Sequence, residues 1–263
     1  MNEKTTVLRE ILRRHAPMLI AYSGGVDSAY LLAAAHGELG SQAVGVIADS
    51  PSLPRQALKD ALALAEAIGA TVEVVQTDEM SNLEYTSNPL NRCYFCKGEL
   101  FGRLDRMAAE RRFAAIAYGE NADDARQVRP GLRAAEEFQV LAPLKQAGLT
   151  KHEIRTLSRE LGLPTADKPA QPCLSSRIPH GTVVTREALG MIEQGEAWVR
   201  SLGFHVFRVR HMAGDRGDTP AARVQIAPAE MDGLPGKEER LRGGLVAVGY
   251  GAVEIDPDGY RGA

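Results

Sequence analysis

The chain is poor in cysteine: among its 263 residues only Cys93, Cys96 and Cys173 carry a thiol. An odd number of cysteines cannot pair completely, which excludes a full disulfide framework as the main source of stability. Such chains are typical of reducing compartments, so we expect a cytoplasmic protein. Apolar runs long enough to span a membrane are lacking too, and no membrane association is expected. The first residues place apolar side chains at helical spacing between acidic ones, which predicts an amphipathic helix and not a secretory leader.

An excess of positive charge is also absent. The chain has 31 Lys and Arg residues against 34 Asp and Glu residues, giving a net charge of -3, whereas domains that bind nucleic acid usually present a basic surface. Nucleic acid is therefore not the expected partner. Apolar residues make up 44% and charged residues 25% of the chain. These fractions and this length are typical of a globular protein with one large domain and a smaller second one.

Short apolar runs alternate with helical segments over roughly the first half of the chain. The runs that predict strands lie at 18–23, 43–50, 71–77 and 113–119, with a short fifth at 138–144. Between two of them, Ser52 and Pro54 have the chemistry to cap and open a helix that Gly69 ends. The alternation predicts an α/β fold with a doubly wound, mainly parallel sheet.

The pattern changes beyond this part of the chain. Thr150 and Glu153 form a capping-box pattern at the start of a predicted helix, and the proline-rich stretch KPAQPCLSSRIPHG follows at 168–181. Thr185 can cap a further helix, after which FRVR, VQIA and LVAVGYGAVEID predict short strands with glycine turns. We therefore predict a first domain at 1–168, a cysteine-bearing linker at 169–184 and a small α+β domain at 185–263.

The hexapeptide SGGVDS at 23–28 joins the first predicted strand to a helix. Ligands bind at this position in open parallel sheets. Two glycines let backbone N–H groups approach an anion, the helix N-terminus adds positive potential, and Ser23 and Ser28 add hydroxyl donors. Asp27 fits such a site if Mg²⁺ accompanies the phosphate. A plain glycine turn is the alternative, but the combination favours a phosphate site.

Neither GxxxxGK[ST] nor GxGxxG occurs in the chain, so neither competing nucleotide motif is present. The hexapeptide resembles the pyrophosphate loop of PP-loop ATPases, which cleave ATP into AMP and pyrophosphate and activate a substrate oxygen by adenylation. ATP and Mg²⁺ are the cofactors that this resemblance implies. The nucleotide-binding residues that it implies are Ser23, Gly24, Gly25, Val26, Asp27 and Ser28, then Ala48, Asp49 and Ser50, which would contact the adenine, then Gly119, Asn121 and Asp124. Arg129 would bind a phosphate or the substrate, and a solvated acidic loop is the alternative for Asp124.

Two cysteines, Cys93 and Cys96, stand at C-x-x-C spacing in NRCYFCK, and Cys173 stands alone in the proline-rich stretch. The spacing is compatible with a redox pair, with half of a zinc site near His180, with ligands of a 4Fe-4S cluster, or with chance. Prolines around Cys173 disfavour a helix there and predict a loop.

Six motifs follow one another along essentially the whole chain: SGGVDS, NRCYFCK, YGENADD, PCLSSRIPHGT, FRVRH and DGYR. In this order they resemble the LarE family of ATP-dependent sulfur transferases. The resemblance implies that the protein adenylates the carboxylates of a small nucleotide, pyridinium-3,5-biscarboxylate mononucleotide, and converts them into thiocarboxylates for the nickel-pincer nucleotide cofactor. It also implies a homo-oligomer built from trimers.

Two sulfur sources are associated with this family. In one, the cysteine matching Cys173 attacks the acyl adenylate and gives up its own sulfur, leaving dehydroalanine. In the other, cysteines matching Cys93, Cys96 and Cys173 hold a 4Fe-4S cluster whose extra sulfide is transferred, so that a sulfide donor is a further partner. All three cysteines are present and there are no others, which favours the cluster.

The resemblance assigns roles to residues around Cys173 as well. Ser175, Ser176 and Arg177 would hold a phosphate and favour the thiolate. Arg208 and Arg210 alternate along a predicted strand and so share one of its faces. The resemblance makes them ligands of the substrate phosphate, although the strand pattern alone favours a solvated face. Glu196 would be a catalytic acidic residue near the sulfur site, or an exposed helix glutamate.

Three other functions use part of the same pattern. An ammonia-using ligase of the NAD or GMP synthetase type shares the pyrophosphate loop and has no need of Cys173. A tRNA-thiolating PP-loop enzyme needs an RNA-binding surface, against which the acidic balance argues. An iron-sulfur carrier holds a cluster and adenylates nothing.

Overall fold

The computed structural model describes residues 3–124, 130–214 and 219–260. The chain divides into two compact units. The first takes the chain up to Glu79 and then Asn91–Gln171, and the second takes Met80–Leu90 and the chain from Pro172 onward. The chain thus leaves the first unit after Glu79 and returns to it at Asn91, which no sequence pattern predicted.

The described ranges contain seven strands and ten α-helices. The strands are β1 (Met18–Ala21), β2 (Ala43–Asp49), β3 (Val72–Gln76), β4 (Ala115–Tyr118), β5 (Phe207–Met212), β6 (Ala221–Ile226) and β7 (Ala252–Ile255). The helices are α1 (Glu3–Arg14), α2 (Val26–Leu39), α3 (Arg55–Ile68), α4 (Leu83–Thr86), α5 (Arg92–Arg111), α6 (Pro130–Glu137), α7 (Pro143–Gln146), α8 (Lys151–Glu160), α9 (Arg186–Ser201) and α10 (Glu238–Val248).

The first unit is built on a four-stranded sheet in the order β3-β2-β1-β4, with every neighbouring pair parallel. Its central strands are apolar on both faces: Ile20 belongs to one buried cluster with α1, α2 and α3, and Leu19 belongs to another with α5 and α6. Helices on both faces explain why the central strands read as continuous apolar runs. The predicted α/β fold with a parallel sheet is confirmed.

The strand order also fixes where a ligand can bind. The chain passes from β1 to β2 on one side, whereas β4 lies on the other side of β1. The carboxyl ends of β1 and β4 are therefore the point at which the order reverses, and open sheets of this kind bind ligands there. Ala21 and Tyr118 are paired at that edge.

The second unit contains a three-stranded sheet in the order β5-β6-β7, antiparallel between β5 and β6 and parallel between β6 and β7. Helices α9 and α10 cover this sheet. Val199 of α9 and Leu245 of α10 belong to the same buried cluster as Val209 of β5. Gly195 permits the close packing, because a Cβ at this position would lie 2.9 Å from Leu245 Cδ2.

Three sequence predictions of local structure were wrong. The run LVAV does not form a strand, because Leu241 and Leu245 are one helical turn apart and both fully buried on α10. The predicted strand at 138–144 is reduced to one parallel bridge between Leu141 and Ala117, since Pro143 already opens α7. Ser52 does not cap α3; its hydroxyl lies 2.8 Å from that of Ser50.

Other local predictions are confirmed. Thr150 and Glu153 form a complete capping box on α8, and the Thr185 hydroxyl accepts a hydrogen bond from the backbone N–H of Ala188 at the start of α9. Among the helices of the described ranges, none has the length and apolar character needed to cross a membrane.

Candidate active site

The predicted phosphate loop, residues 23–28, connects β1 to α2 at the carboxyl edge of the parallel sheet. The hydroxyl of Ser28 closes it: this oxygen accepts a hydrogen bond from Ser23 N–H at 3.2 Å, lies 3.0 Å from Ser23 Oγ, and donates to the Gly25 carbonyl at 3.2 Å. Ser28 is buried, whereas Ser23 and Gly25 are exposed. The loop is thus fixed from the protein side and open on its outer side.

The structure explains why glycine occupies both position 24 and position 25 of the loop. Gly24 has a φ of 70°, and a Cβ on it would lie 2.6 Å from Ala61 Cβ. Gly25 is the N-cap residue of α2, and no side chain in the described part of the protein caps that helix. Uncapped N–H groups at the positive end of a helix suit an anion. The next residue, Val26, is buried and anchors the turn.

A charged pair lies beside this loop. Asp27, in the first turn of α2, accepts a hydrogen bond from Lys151 Nζ at 2.6 Å. Burial raises the pKa of Asp27, and the ammonium group of Lys151 opposes that shift. Sequence reasoning recognised the capping box around Lys151 but not its role in the site. The position of Lys151 could have indicated a role, because a cation in the first turn of a helix is electrostatically unfavourable and so needs another reason to be there.

The loop after β4 approaches the same helix end. A Cβ at Gly119 would lie 2.7 Å from the backbone N of Ser28, so only glycine fits this contact. Asn121 is 3% exposed, and its side-chain oxygen accepts a hydrogen bond from Asp123 N–H at 2.9 Å. The carboxylate of Asp124 accepts one from Asn121 N–H at 3.2 Å.

The structure therefore brings the predicted residues Gly119, Asn121 and Asp124 to the phosphate loop. Asp124 is near enough to contribute to the raised pKa of Asp27. The fourth residue predicted in this region, Arg129, lies outside the described residues.

The residues predicted to contact adenine lie at the end of β2, where Ala48 and Asp49 are half-buried and Ser50 is buried. Gln76 donates a hydrogen bond to Asp49 at 2.8 Å, and Arg55 donates another. Burial alone would raise the pKa of Asp49, but these two donors outweigh it and lower the pKa. The side chain of Asp49 is therefore held as a carboxylate, and adenine binding here stays a prediction.

The C-x-x-C pair lies in the first turns of α5. Cys93 is exposed and Cys96 is half-buried, and residues three apart lie on one face of a helix. None of the three cysteines of the chain is in a disulfide.

Cys173 lies outside regular helices and strands, as predicted, and is half-buried. It is the N-cap residue of a 3-10 turn, Leu174–Arg177. Its carbonyl oxygen accepts hydrogen bonds from Ser176 Oγ at 2.7 Å and from the Arg177 guanidinium at 2.9 Å. Ser175 is fully buried. The backbone around Cys173 is thus held firmly by its own neighbours.

Arg177 and Glu196 form a buried ion pair within the second unit. The guanidinium donates to both carboxylate oxygens, at 2.8 and 3.0 Å, and the two side chains are 3% and 8% exposed. Glu196 also accepts a hydrogen bond from Val209 N–H at 3.3 Å. It is therefore a buried partner of the cysteine loop and not an exposed helix glutamate.

Arg208 and Arg210 are both on β5, two residues apart. Arg208 is 9% exposed, and its guanidinium lies 4.5 Å from the ring centre of Tyr260. Arg210 donates to the Ser176 carbonyl at 2.7 Å and to Gln225 at 2.9 Å. Burial, together with the charge of Arg177, lowers the pKa of both arginines. Such a concentration of positive charge is not a solvated strand face, and it suits an anionic ligand.

Across the described ranges, no group of three or more His, Cys, Asp or Glu side chains is arranged to hold a metal ion. The carboxylates of Asp27 and Asp124 are oxygen ligands of the kind that Mg²⁺ prefers in company with a phosphate. Cys93 and Cys96 offer two thiols on one helical face, the kind of ligand that iron-sulfur clusters require. Cys173 belongs to the other unit, so the three-cysteine ligand set stays a prediction.

Two uncharacterized proteins are similar to this chain. The Synechocystis protein slr1717 is 40% identical over 265 residues, which cover 99% of this chain and 96% of that protein. The Methanocaldococcus jannaschii protein MJ0830 is 28% identical over 197 residues, 75% of each chain. No protein-family model matches the sequence.

A third similar protein has a named activity. It is the pyridinium-3,5-bisthiocarboxylic acid mononucleotide synthase LarE of Lactiplantibacillus plantarum. The two chains are 31% identical over 259 residues, which cover 98% of this chain and 92% of the relative. Identity at this level over nearly the full length of both chains indicates common descent, and the chain therefore belongs to the LarE family.

Proposed function

We propose that this protein is an ATP-dependent sulfur transferase of nickel-pincer nucleotide biosynthesis. It adenylates the carboxylates of pyridinium-3,5-biscarboxylate mononucleotide and converts them into thiocarboxylates. The observation that carries the proposal is the 31% identity, over 98% of this chain, to a pyridinium-3,5-bisthiocarboxylic acid mononucleotide synthase. The geometry of each unit supports one half of the chemistry.

The first unit supports a PP-loop type of ATP site. The open outer side of residues 23–28 and the uncapped N-terminus of α2 favour a pyrophosphate group. Lys151 lies next to the loop and supplies a cation for the phosphates, while Asp27 and Asp124 supply carboxylates for Mg²⁺. A substrate carboxylate oxygen attacks the α-phosphorus, the bond to pyrophosphate breaks, and the loop retains the pyrophosphate.

The second unit supports binding of an anionic substrate. Arg177 is paired with Glu196. Arg208 and Arg210 place two further guanidinium groups near Arg177, and burial together with the charge of Arg177 lowers the pKa of both. A phosphate bound by these two side chains gains charge-assisted hydrogen bonds and relieves the repulsion between neighbouring guanidinium groups. The phosphate of the mononucleotide is the group that fits.

Sulfur transfer exchanges one bond at the acyl carbon for another. A new C–S bond forms, the C–O bond to AMP breaks, and AMP leaves with the electron pair. Cys173 is positioned on a loop with its side chain half-exposed, as a nucleophile or sulfur ligand requires. A 4Fe-4S cluster held by Cys93, Cys96 and Cys173 would supply a transferable sulfide. Without it, the sulfur of Cys173 itself is the source: the Cα proton is lost, the Cβ–S bond breaks, and the thiocarboxylate leaves a dehydroalanine at position 173.

The test measures the two half-reactions separately under anaerobic conditions. The protein is mixed with MgATP, sulfide and the biscarboxylate mononucleotide, and pyrophosphate, AMP and thiocarboxylate are quantified. We expect pyrophosphate release that depends on the substrate, and thiocarboxylate formation that Cys173→Ser abolishes while pyrophosphate release continues. Wild-type protein that releases no pyrophosphate with this substrate would refute the proposal. Amide formation from ammonia by Cys173→Ser would instead identify a ligase.

A further inference from the structure

The segment Met80–Leu90, called here the 80–90 segment, belongs to the second unit although the chain on both sides of it belongs to the first. It contains the short helix α4, which Asn82 caps by accepting a hydrogen bond from Glu84 N–H at 2.9 Å. The proposed chemistry uses none of its residues. Its contacts are nevertheless concentrated on the loop that carries Cys173.

The first contact is a buried pair of hydroxyl groups. Tyr85 and Ser175 are 1% and 0% exposed, and their hydroxyl oxygens lie 2.7 Å apart. Both groups are shielded from solvent, so loss of either hydroxyl costs a buried hydrogen bond. Ser175 is the second residue after Cys173, and the hydrogen bond fixes it from the side of the 80–90 segment.

The second contact comes from Asn88, which is fully buried. Its amide nitrogen donates to the carbonyl oxygens of Pro179 at 2.7 Å and Ile178 at 3.3 Å. Its own carbonyl accepts from Gly181 N–H at 3.0 Å. Asn88 has a φ of 56°, a left-handed conformation that asparagine tolerates better than most residues. Asn88 therefore holds the backbone of residues 178–181 through both its side chain and its carbonyl.

The remaining side of the loop is held by arginines. Arg177 donates to the Cys173 carbonyl, and Arg210 donates to the Ser176 carbonyl. The 80–90 segment therefore completes a set of contacts that fix the backbone of residues 173–181, while the side chain of Cys173 is still half-exposed.

We propose that Tyr85 and Asn88 are positioning residues that hold the Cys173 loop in the conformation required for sulfur transfer. The catalytic meaning of this inference rests on the proposed function. Attack on an acyl adenylate needs the sulfur within a narrow range of distance and angle, and a loop ordered in advance removes the entropic cost of finding it. Two residues remote in sequence from Cys173 thus contribute to the rate without touching the substrate.

Hydrogen-deuterium exchange tests the positioning directly. The reporters are the amides of Ser176 and Ile178, which donate to the carbonyls of Cys173 and Ser175 at 3.0 and 3.2 Å. In Tyr85→Phe we expect these amides to exchange roughly two- to tenfold faster, as the loss of one buried hydrogen bond predicts. Asn88→Gly keeps the backbone conformation, removes the amide donors and has the same expected result.

Matched variants separate positioning from general destabilisation. Tyr250 is also buried in the second unit, and its hydroxyl has no hydrogen-bond partner within the described ranges, so Tyr250→Phe makes the same chemical change without losing such a bond. Tyr250→Phe should leave the exchange rates of the reporter amides and of the α9 amides unchanged. In the double variant Tyr85→Phe, Ser175→Ala, the increase in exchange rate should be smaller than the product of the two single-variant increases, because both changes remove the same bond.

Turnover completes the test. Tyr85→Phe should slow thiocarboxylate formation by roughly tenfold or more and leave substrate-dependent pyrophosphate release unchanged. Unaltered exchange at the reporter amides in both Tyr85→Phe and Asn88→Gly, or faster exchange with undiminished thiocarboxylate formation, would overturn the positioning role. If Tyr85→Phe does not fold, Asn88→Gly carries the same measurement. A wild-type protein without thiocarboxylate formation refutes the proposed function alone, since the exchange experiment needs no substrate.

Discussion

Several charged residues of the candidate site lie where their charge is electrostatically unfavourable. Asp27 is a carboxylate whose pKa burial raises, and Lys151 is a cation in the first turn of α8, where the helix dipole opposes it. Arg208 is almost completely buried beside two other arginines. Such placements reduce the stability of the folded chain and are typical of functional positions. Binding of an anion or a metal would remove the conflict in each case.

Replacement of Lys151 by methionine should lower the catalytic efficiency with ATP. The change removes the cation beside the phosphate loop, and we expect kcat/KM for ATP to fall by about 100-fold in a pyrophosphate-release assay. Lys4→Met is the control, because Lys4 also forms a 2.7 Å ion pair, with Glu153, and is similarly exposed. A Lys151→Met protein with unchanged kcat/KM would contradict a role in phosphate binding.

Replacement of Asp27 by asparagine should stabilise the protein while abolishing its turnover. Since the pKa of Asp27 is raised in the folded state, its ionised form costs folding free energy at neutral pH, and asparagine does not ionise. The midpoint of denaturation of Asp27→Asn should therefore exceed that of wild type at pH 7. The difference should shrink as the pH falls through the folded pKa and vanish below about 3.9, the value for an unfolded Asp. A lower midpoint at pH 7 would show that the pair with Lys151 dominates.

At the scale of elements, the turn from β1 into α2 determines whether the phosphate loop forms. Gly24→Ala combines a positive φ with a contact of 2.6 Å to Ala61 Cβ, so we expect a loss of about 2 kcal/mol or more of unfolding free energy and no measurable ATP binding. Gly37→Ala is the control: Gly37 lies within the same helix with open space around it. That change should raise stability by roughly 0.5–1 kcal/mol, and denaturation with calorimetric ATP titration measures both.

Elements with a clear local signal were predictable from the sequence, and those set by distant contacts were not. The parallel strands around Ile20 were predictable because each is a run of apolar residues. The Thr150 capping box predicted the first residue of α8. The run LVAV reads as a strand because its residues are branched and apolar, but tertiary packing of Leu241 and Leu245 makes it a helix. The passage of the 80–90 segment into the second unit has no local signature, since its buried side chains meet partners about 90 residues away.

The same division applies to the candidate site. The hexapeptide and Gly119 carry local chemistry, and the structure brings them into contact. The ion pair of Arg177 with Glu196, and the hydroxyl pair of Tyr85 with Ser175, join residues from different elements, and no periodicity encodes such pairs. Sequence reasoning therefore located the predicted phosphate loop and the Cys173 loop, but not the contacts that hold them.

For the whole molecule, the two units divide the proposed chemistry between them. The phosphate loop and the pair Cys93 and Cys96 belong to the first unit, whereas Cys173 and the arginines of β5 belong to the second. In the proposed reaction, sulfur transfer needs Cys173 whereas adenylation does not, which is why the two half-reactions can be measured apart.

The source of the sulfur is a property of the whole molecule, because the three cysteines that the cluster requires come from both units. We expect protein purified without oxygen to contain about four iron atoms per chain. Cys93→Ala, Cys96→Ala and Cys173→Ala should each lose most of this iron, since a cluster held by three thiolates does not survive the loss of one.

Mass spectrometry after turnover decides between the two routes. If sulfide bound to the protein is transferred, the mass of the polypeptide after turnover equals its mass before, and added sulfide sustains further cycles. If Cys173 is consumed, the mass falls by that of one H₂S, residue 173 becomes dehydroalanine, and each chain works once. The second result in iron-free protein would contradict the cluster, because Cys93 and Cys96 would then have no part in the transfer and their alanine variants would keep full single-turnover activity.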